Sequence, residues 1–145
     1  MYLTDSFFNE VTYDSYSVVY HNGKEYMGVA RLHPDDKPSK FAGCAIAETR
    51  AEIKALKDEL KQEKAKCEEI RKFVKACRQY KDWDDNSKTA KLMYRQLSRR
   101  IKNVNRIIDE INARENGLQA YTFRRDIVVK ALENKMSEKE QFKTL

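Results

Sequence analysis

The chain has 145 residues, of which 41% are hydrophobic and 36% charged, and it contains four glycines and two prolines. This length predicts one domain, and the scarcity of chain-breaking residues argues against a many-turned sandwich or barrel and favours long, partly solvated helices. Lys and Arg (29) outnumber Asp and Glu (23), and the net charge of +6 favours an anionic partner without identifying one.

The first predicted element is a β-hairpin near the N-terminus. Residues 15–21 alternate and are rich in Tyr and Val, Asn22-Gly23 follows, and residues 24–32 resume an extended pattern. Asn-Gly is the strongest short-range hairpin signal, because both residues tolerate the positive φ that a two-residue turn requires. The resulting register pairs His21 with Lys24, Val19 with Tyr26, and Val18 with Met27.

The hairpin needs an apolar surface to lie against, since two strands alone are marginally stable in water. Hydropathy selects one face of the hairpin for that contact, formed by Tyr16, Val18, Met27 and Val29. Residues 33–38, which include two prolines, then end the second strand because proline has no N–H to donate to a ladder.

A long helix is predicted from about residue 44 to residue 81. Its apolar positions are separated by alternating steps of three and four, as in a heptad helix. These seam positions are Ile46, Thr49, Ile53, Leu56, Leu60, Glu63, Cys67, Ile70, Val74 and Cys77. Glu63 is the one charged residue among them, and it either sets the register or turns outward. A helix on the order of 55 Å long requires a partner helix.

The partner helix is predicted after a turn at residues 81–87, where Asn86 or Ser87 is expected to cap it. We expect Asn116-Gly117 to end it with a left-handed C-cap, and the short connection predicts an antiparallel helical hairpin. Its seam positions are Ala90, Tyr94, Leu97, Ile101, Val104, Ile108 and Ile111. A third helix is predicted from about residue 118, with apolar positions at Leu118, Tyr121, Val128, Leu132 and Met136.

Together these elements predict an α+β, predominantly α fold. An N-terminal β-ribbon segment (residues 1–40) packs on a helical region (residues 41–145) within a single structural domain. The N-terminus has neither a basic segment nor a sustained apolar stretch, so no signal peptide or membrane span is expected. Of the three cysteines, Cys67 and Cys77 lie too far apart on a helix for a disulfide, which favours reduced thiols and a cytoplasmic location.

The positive charge is concentrated on the second predicted helix. No Asp or Glu occurs between Asp85 and Asp109. A basic stripe, with steps of three or four, follows this helix on the side away from the seam, at Lys88, Lys91, Arg95, Arg99, Lys102 and Arg106. Arg100 adds a further cation. Like charges at this spacing repel one another, so an anionic partner would relieve the repulsion; a merely solvated face is the alternative.

Motifs for catalysis or metal binding are not persuasive in this chain. Asp35, Glu52 and Lys54 formally match a metal-dependent nuclease pattern, but Glu52 and Lys54 fall on the predicted long helix rather than on a strand. Residues 82–86 imitate the start of a calcium loop that lacks its glycine and its final glutamate. His33 and Cys44 lack the further ligands of a zinc site. We therefore expect no catalytic residue, no metal and no cofactor.

Two stretches carry a resemblance, residues 23–36 (GKEYMGVARLHPDD) and 41–57 (FAGCAIAETRAEIKALK). They resemble a group of small proteins encoded by phages and mobile elements of Gram-positive bacteria, in which a strand pair precedes a helical hairpin. The resemblance implies a bacterial host cell as the setting. Small phage proteins of this size include anti-CRISPR inhibitors of Cas9-type nucleases, and a helical hairpin with a basic face is similar in general character to some of them.

The functional expectation is therefore a non-enzymatic phage-type binding protein. The leading hypothesis is an anti-CRISPR-like inhibitor that contacts a Cas9-type ribonucleoprotein through the basic face. The first alternative is an accessory protein of phage replication or regulation that binds DNA or RNA directly. The second is a structural coiled-coil homodimer. None of these hypotheses involves a membrane.

Overall fold

The computed structural model describes residues 1–32 and 39–143, with side chains up to residue 120. Three strands precede two helices: β1 (Tyr2–Phe8), β2 (Ser15–His21), β3 (Lys24–Ala30), α1 (Lys40–Cys77) and α2 (Lys88–Lys143). The α+β, mostly helical prediction is confirmed. The predicted strand break at residues 33–38 lies outside the described residues.

The predicted hairpin register is confirmed. His21 pairs with Lys24, and Val19 pairs with Tyr26. The turn residues have the expected positive φ, 51° at Asn22 and 80° at Gly23. The sheet nevertheless has three strands rather than two, because β1 pairs antiparallel with β2 and makes the order β1-β2-β3.

The prediction of which sheet face meets the helix was wrong. The face packed against α1 carries Ser15, Ser17 and Val19, all at most 1% exposed, together with Gly28 and Ala30 of β3. The apolar residues selected by hydropathy lie on the opposite face. This outer sheet face is formed by Tyr2, Asp5, Phe7, Tyr16, Val18, Tyr20, Glu25, Met27 and Val29.

Small residues explain why the less apolar face is the buried one. A Cβ on Gly28 would lie 1.9 Å from the carbonyl oxygen of Ala47, so the α1 backbone almost touches β3. Ala47, Ala51 and Ala55 are fully buried along the same side of α1. On the outer sheet face, the larger Tyr16, Val18, Met27 and Val29 would hold a helix farther away.

Side chains of α1 also cover the free edge of β3. Arg50 donates a hydrogen bond to the Val29 carbonyl at 2.7 Å, and Lys54 donates one to the Met27 carbonyl at 2.7 Å. The opposite edge strand, β1, contains a bulge between Leu3 and Asp5. Both edges of the sheet therefore differ from a regular strand edge with unpaired backbone groups.

The heptad seam of α1 is confirmed, since each of its predicted positions is buried or half-buried. The helix begins four residues earlier than expected, where the Ser39 side chain accepts a hydrogen bond from the Ala42 amide at 3.2 Å. On the other helix, Ile107 is fully buried although the predicted seam passed through Ile108, and Ile101 is 36% exposed.

The two helices lie antiparallel, as predicted. Glu52 near the start of α1 pairs with Arg114, whereas Glu63, farther along, pairs with Arg100. Ser87 caps α2 by accepting a hydrogen bond from the Ala90 amide at 3.2 Å.

A separate third helix is not supported. The predicted C-cap at Asn116-Gly117 was wrong, because α2 continues through both residues and ends at Lys143. Gly117 has no positive φ, and a Cβ there would meet no atom within 4 Å. The predicted apolar positions of the third helix from Tyr121 onward lie outside the residues whose side chains are described.

Candidate nucleic-acid interface

The basic stripe lies on the exposed side of α2, away from α1. Its six members are all exposed: Lys88, Lys91, Arg95, Arg99, Lys102 and Arg106. Their spacing keeps them within a narrow arc of the helix, whereas the buried Ala90, Ile107 and Ile111 lie on the side that faces α1. The structure therefore brings the predicted residues onto one surface.

Arg106 has partners within the fold despite its exposure. Its guanidinium lies 2.9 Å from a Glu110 oxygen and 3.6 Å from a Glu59 oxygen of α1, and it also donates hydrogen bonds to the Asn103 side chain. Arg106 thus connects the end of the basic stripe to the helix interface.

Arg100 lies at the helix interface rather than on the stripe. Its guanidinium is 3.3 Å from Glu63, the charged seam residue, which is 9% exposed and also lies 3.6 Å from the Lys66 ammonium. Burial alone would raise the pKa of Glu63. Hydrogen bonds from Asn103 and Arg100, together with the positive charges of Arg100 and Lys66, lower it below its ordinary value. Glu63 is therefore ionised, and it pairs with Arg100 across the helix interface.

Further ion pairs join the two helices at the end near the sheet. Arg114 lies 2.7 Å from Glu52, and Lys57 lies 3.2 Å from Glu115. Sequence reasoning missed these pairs, because it paired the two helices through their seam positions alone. A signal was available, since Glu52, Glu59 and Glu63 are spaced by seven and four residues and so share one side of α1.

Five cations of the basic stripe remain without an ion pair to any residue that the structure describes. They are Lys88, Lys91, Arg95, Arg99 and Lys102. They extend over about 21 Å of helix, the length of about six base pairs of duplex. Such a row produces a positive potential along one side of the molecule, which can bind a polyanion.

An aromatic cluster orders the loop that precedes the stripe. The Tyr94 hydroxyl donates a hydrogen bond to Asp85 and accepts one from Arg78, both at 2.6 Å. Trp83 donates its indole N–H to Asp85 at 2.9 Å. The hydrogen bonds that Asp85 accepts from Tyr94 and from Trp83 are the main reason that its pKa is lowered. The segment that imitates a calcium loop is thus held as a helix-capping turn.

A second polar cluster, which was not predicted from the sequence, joins the hairpin turn to α1. His21 Nε2 lies 2.6 Å from a Glu59 carboxylate oxygen, and the Tyr26 hydroxyl donates a hydrogen bond to Asp58. Burial and this hydrogen bond raise the pKa of Tyr26 to about 12, and the same bond lowers the pKa of Asp58.

Other groups with chemical potential are dispersed. Within the described residues, no three His, Cys, Asp or Glu side chains gather where they could hold a metal ion. Cys44, Cys67 and Cys77 are free thiols, of which Cys67 is buried. No helix in the described part of the chain is long and apolar enough to cross a bilayer.

Comparison with known proteins gives no further guide to function. No protein-family model, curated protein or solved structure matches the chain.

Proposed function

We propose that this protein is a non-enzymatic binding protein whose basic stripe binds the phosphate backbone of a nucleic acid. The observation that supports the proposal is the row of five exposed cations on α2 that have no ion pair with a described residue. Among the residues whose side chains are described, five arginines of the helical hairpin lie within 4 Å of a carboxylate: Arg71, Arg78, Arg100, Arg106 and Arg114. Cations left without such partners on one continuous side of a helix are available to phosphates.

The composition of the stripe predicts weak base specificity. Arg and Lys at these spacings can follow a backbone, whereas base edges are read by amide side chains and by bidentate arginines. Of the amides near the stripe, Asn103 is already engaged by Arg106 and Glu63. Only Gln96 and Asn105 remain exposed in this stretch of α2. Binding should therefore depend strongly on salt and little on sequence.

Most concretely, we propose that the nucleic acid belongs to a Cas9-type ribonucleoprotein and that the protein inhibits it. This setting comes from the resemblance to small phage proteins. An inhibitor that mimicked DNA would be acidic, so a basic one would instead contact guide RNA, target DNA or an acidic patch of the nuclease. Direct binding of free DNA or RNA in phage replication is the alternative, and a structural homodimer is the second alternative.

Charge reversal tests the stripe. We expect the triple variant Arg95→Glu, Arg99→Glu, Lys102→Glu to weaken binding of labelled duplex DNA or RNA at least about tenfold at low salt, because attraction becomes repulsion. The measurement is fluorescence anisotropy at two salt concentrations. The matched control is Lys64→Glu, Lys72→Glu, Lys75→Glu on α1, which changes the net charge equally at exposed lysines. If both variants lose affinity equally, net charge and not the stripe is responsible.

The same proteins distinguish the biological alternatives. In a DNA-cleavage assay with a Cas9–guide RNA complex, an inhibitor slows cleavage, and the stripe variant loses this effect while the α1 control retains it. Binding to free nucleic acid without inhibition selects the accessory protein. A tight dimer in sedimentation, with no binding to either partner, selects the structural coiled coil and rejects the proposal.

A further inference from the structure

The outer sheet face has a pattern of its own. Its side chains form three rows across the strands, and the middle row combines Asp5, Val18 and Met27. The row nearest the hairpin turn combines Tyr2 and Tyr20, whose ring centroids are 5.2 Å apart, with Glu25. The third row combines Phe7 and Tyr16, 6.3 Å apart, with Val29.

This face is apolar and open in the described structure. Tyr2 and Phe7 are each 59% exposed, and Met27 is 50% exposed. Three seven-residue strands present an area of roughly 23 by 14 Å. Apolar side chains exposed together on one face of a sheet, with charged residues beside them, are a common feature of interaction sites.

The charges on the face restrict what can cover it. Its two charged residues, Asp5 and Glu25, are exposed, and neither makes an ion pair with a described residue. The strands place no Lys or Arg on this side, and the first cation in register is Arg31, just after β3. Carboxylates without accompanying cations repel phosphates, so the aromatic rings are unsuited to a nucleic acid.

A second copy of the chain is also disfavoured as the occupant. Packing two outer sheet faces against each other would enclose the Asp5 and Glu25 carboxylates of both copies, four in all, with no Lys or Arg from the strands of either face. Like charges across a desolvated interface are costly. The same carboxylates instead suit a cationic side chain. Glu25 lies beside Tyr20, with Tyr2 next in the same row, so this row combines a counter-ion with aromatic rings that can lie against a guanidinium or ammonium.

We propose that the outer sheet face binds an amphipathic helix of a partner protein that carries Lys or Arg beside its apolar side chains. The area fits one helix of about 15 residues, which is about 23 Å long and 10–12 Å wide. Such a helix completes a layer opposite α1, so that both faces of the sheet are covered. The proposal is independent of the basic stripe, because that surface lies on the far side of α2.

A pair of designed peptides tests this proposal on the full-length protein. One is a 15-residue amphipathic helix of Leu and Lys, and the other has Glu in place of every Lys. In ¹H–¹⁵N NMR spectra, the Leu/Lys peptide should shift the amide signals of β1, β2 and β3. The Leu/Glu peptide should leave those signals unchanged and shift signals of α2 instead, where the basic stripe provides an internal reference.

Variants make the test specific. Asp5→Lys with Glu25→Lys should weaken binding of the Leu/Lys peptide about tenfold at low salt. The control Glu10→Lys with Asp82→Lys reverses two exposed carboxylates elsewhere and should retain affinity. Circular dichroism verifies that both variants fold.

Five results would overturn the proposal. Four come from the titrations: no shift in the sheet signals with the Leu/Lys peptide, equal shifts with the Leu/Glu peptide, unchanged affinity in the Asp5 and Glu25 variant, and sheet signals that respond to an oligonucleotide. The fifth is a dimer that is abolished by Phe7→Arg, which would assign the face to a second copy. Each of these results leaves the anisotropy test of the basic stripe unaffected.

Discussion

Two serines lie buried between the sheet and α1, and they are satisfied differently. Ser17 donates a hydrogen bond to the Cys44 carbonyl at 3.0 Å and lies 3.1 Å from the Ser6 hydroxyl. The Ser15 hydroxyl is 1% exposed and has no hydrogen-bond partner among the described residues. A buried hydroxyl without a partner retains its desolvation cost, so Ser15 lowers the stability of the fold.

The two serines therefore give substitutions of opposite sign. We expect Ser15→Ala to stabilise the protein by about 1 kcal/mol and Ser17→Ala to destabilise it by about 1 kcal/mol. Urea denaturation monitored by circular dichroism measures both. A loss of stability in Ser15→Ala would show that its hydroxyl has a partner in solution.

The Tyr26–Asp58 hydrogen bond makes stability depend on pH in two ranges. The lowered pKa of Asp58 means that its contribution is present above about pH 4 and is lost as pH falls. The pKa of Tyr26, raised to about 12, means that its contribution is present below about pH 10 and is lost as pH rises toward 12.

Tyr26→Phe should therefore cost most stability between these two ranges. The difference from the parent protein should shrink toward pH 3 and again above pH 11. Urea denaturation across pH measures this difference, and an NMR titration of Asp58 provides the control. If the pKa of Asp58 is the same in both proteins, the hydrogen bond does not form in solution.

The residue scale also shows where hydropathy misleads. The sequence predicted the hairpin register, because Asn22-Gly23 determines it locally. It did not predict the buried face, because that choice depends on how closely α1 can approach. Gly28 and the alanines of α1 let the helix approach the more polar face closely. The number of apolar residues along β2 and β3 does not indicate this approach.

At the scale of the elements, two glycines in different surroundings are expected to change stability in opposite directions when they are replaced by alanine. A Cβ at Gly28 would collide with the backbone of Ala47 and Ala51, at 1.9 and 2.6 Å. We expect Gly28→Ala to destabilise the fold by about 3 kcal/mol, because the backbone of α1 must move away from β3. Thermal or urea denaturation measures the loss.

Gly117→Ala provides the contrast. Gly117 lies within α2, where an added methyl group has room. We expect this substitution to stabilise the protein by about 1 kcal/mol, since alanine is the better helix former. If Gly117 instead formed a left-handed cap, the substitution would destabilise the protein. A measured loss of stability would therefore support the helix end predicted from the sequence.

The helices themselves were predictable to different degrees. The seam of α1 follows from its three-four spacing over 32 residues, a pattern long enough to be unambiguous. The end of α2 was not predictable, because Asn-Gly permits a left-handed turn but does not require one. Glycine costs only about 1 kcal/mol within a helix, which favourable neighbours on both sides can offset.

At the scale of the whole molecule, α1 lies between the sheet and α2. One side of α1 contacts the sheet through alanines, and the other pairs with α2 through apolar residues and ion pairs such as Glu52–Arg114. This arrangement places the outer sheet face and the basic stripe on opposite sides of the molecule. The carboxylates of the outer sheet face and the cations of the basic stripe thus lie on two separate surfaces.

The candidate site was predictable only in part, because helical spacing is a local property and ion pairing between two helices is not. Helical spacing alone placed the basic stripe on one side of α2, because six cations at steps of three and four must share a face. The engagement of Arg100 and Arg106 with α1 depends on the pairing of two distant segments. Of the seven cations predicted for this surface, five therefore remain without an ion pair to a described residue.

The treatment of the sheet edges has a consequence for the protein at high concentration. An unprotected strand edge is a template on which further chains can add, which leads to aggregation. Here the β3 carbonyls of Met27 and Val29 are occupied by Lys54 and Arg50, and the bulge in β1 disturbs the regular pattern that an incoming strand would need. Both edges of the three-stranded sheet therefore oppose the addition of a further strand, which lowers the tendency of the chain to aggregate at high concentration.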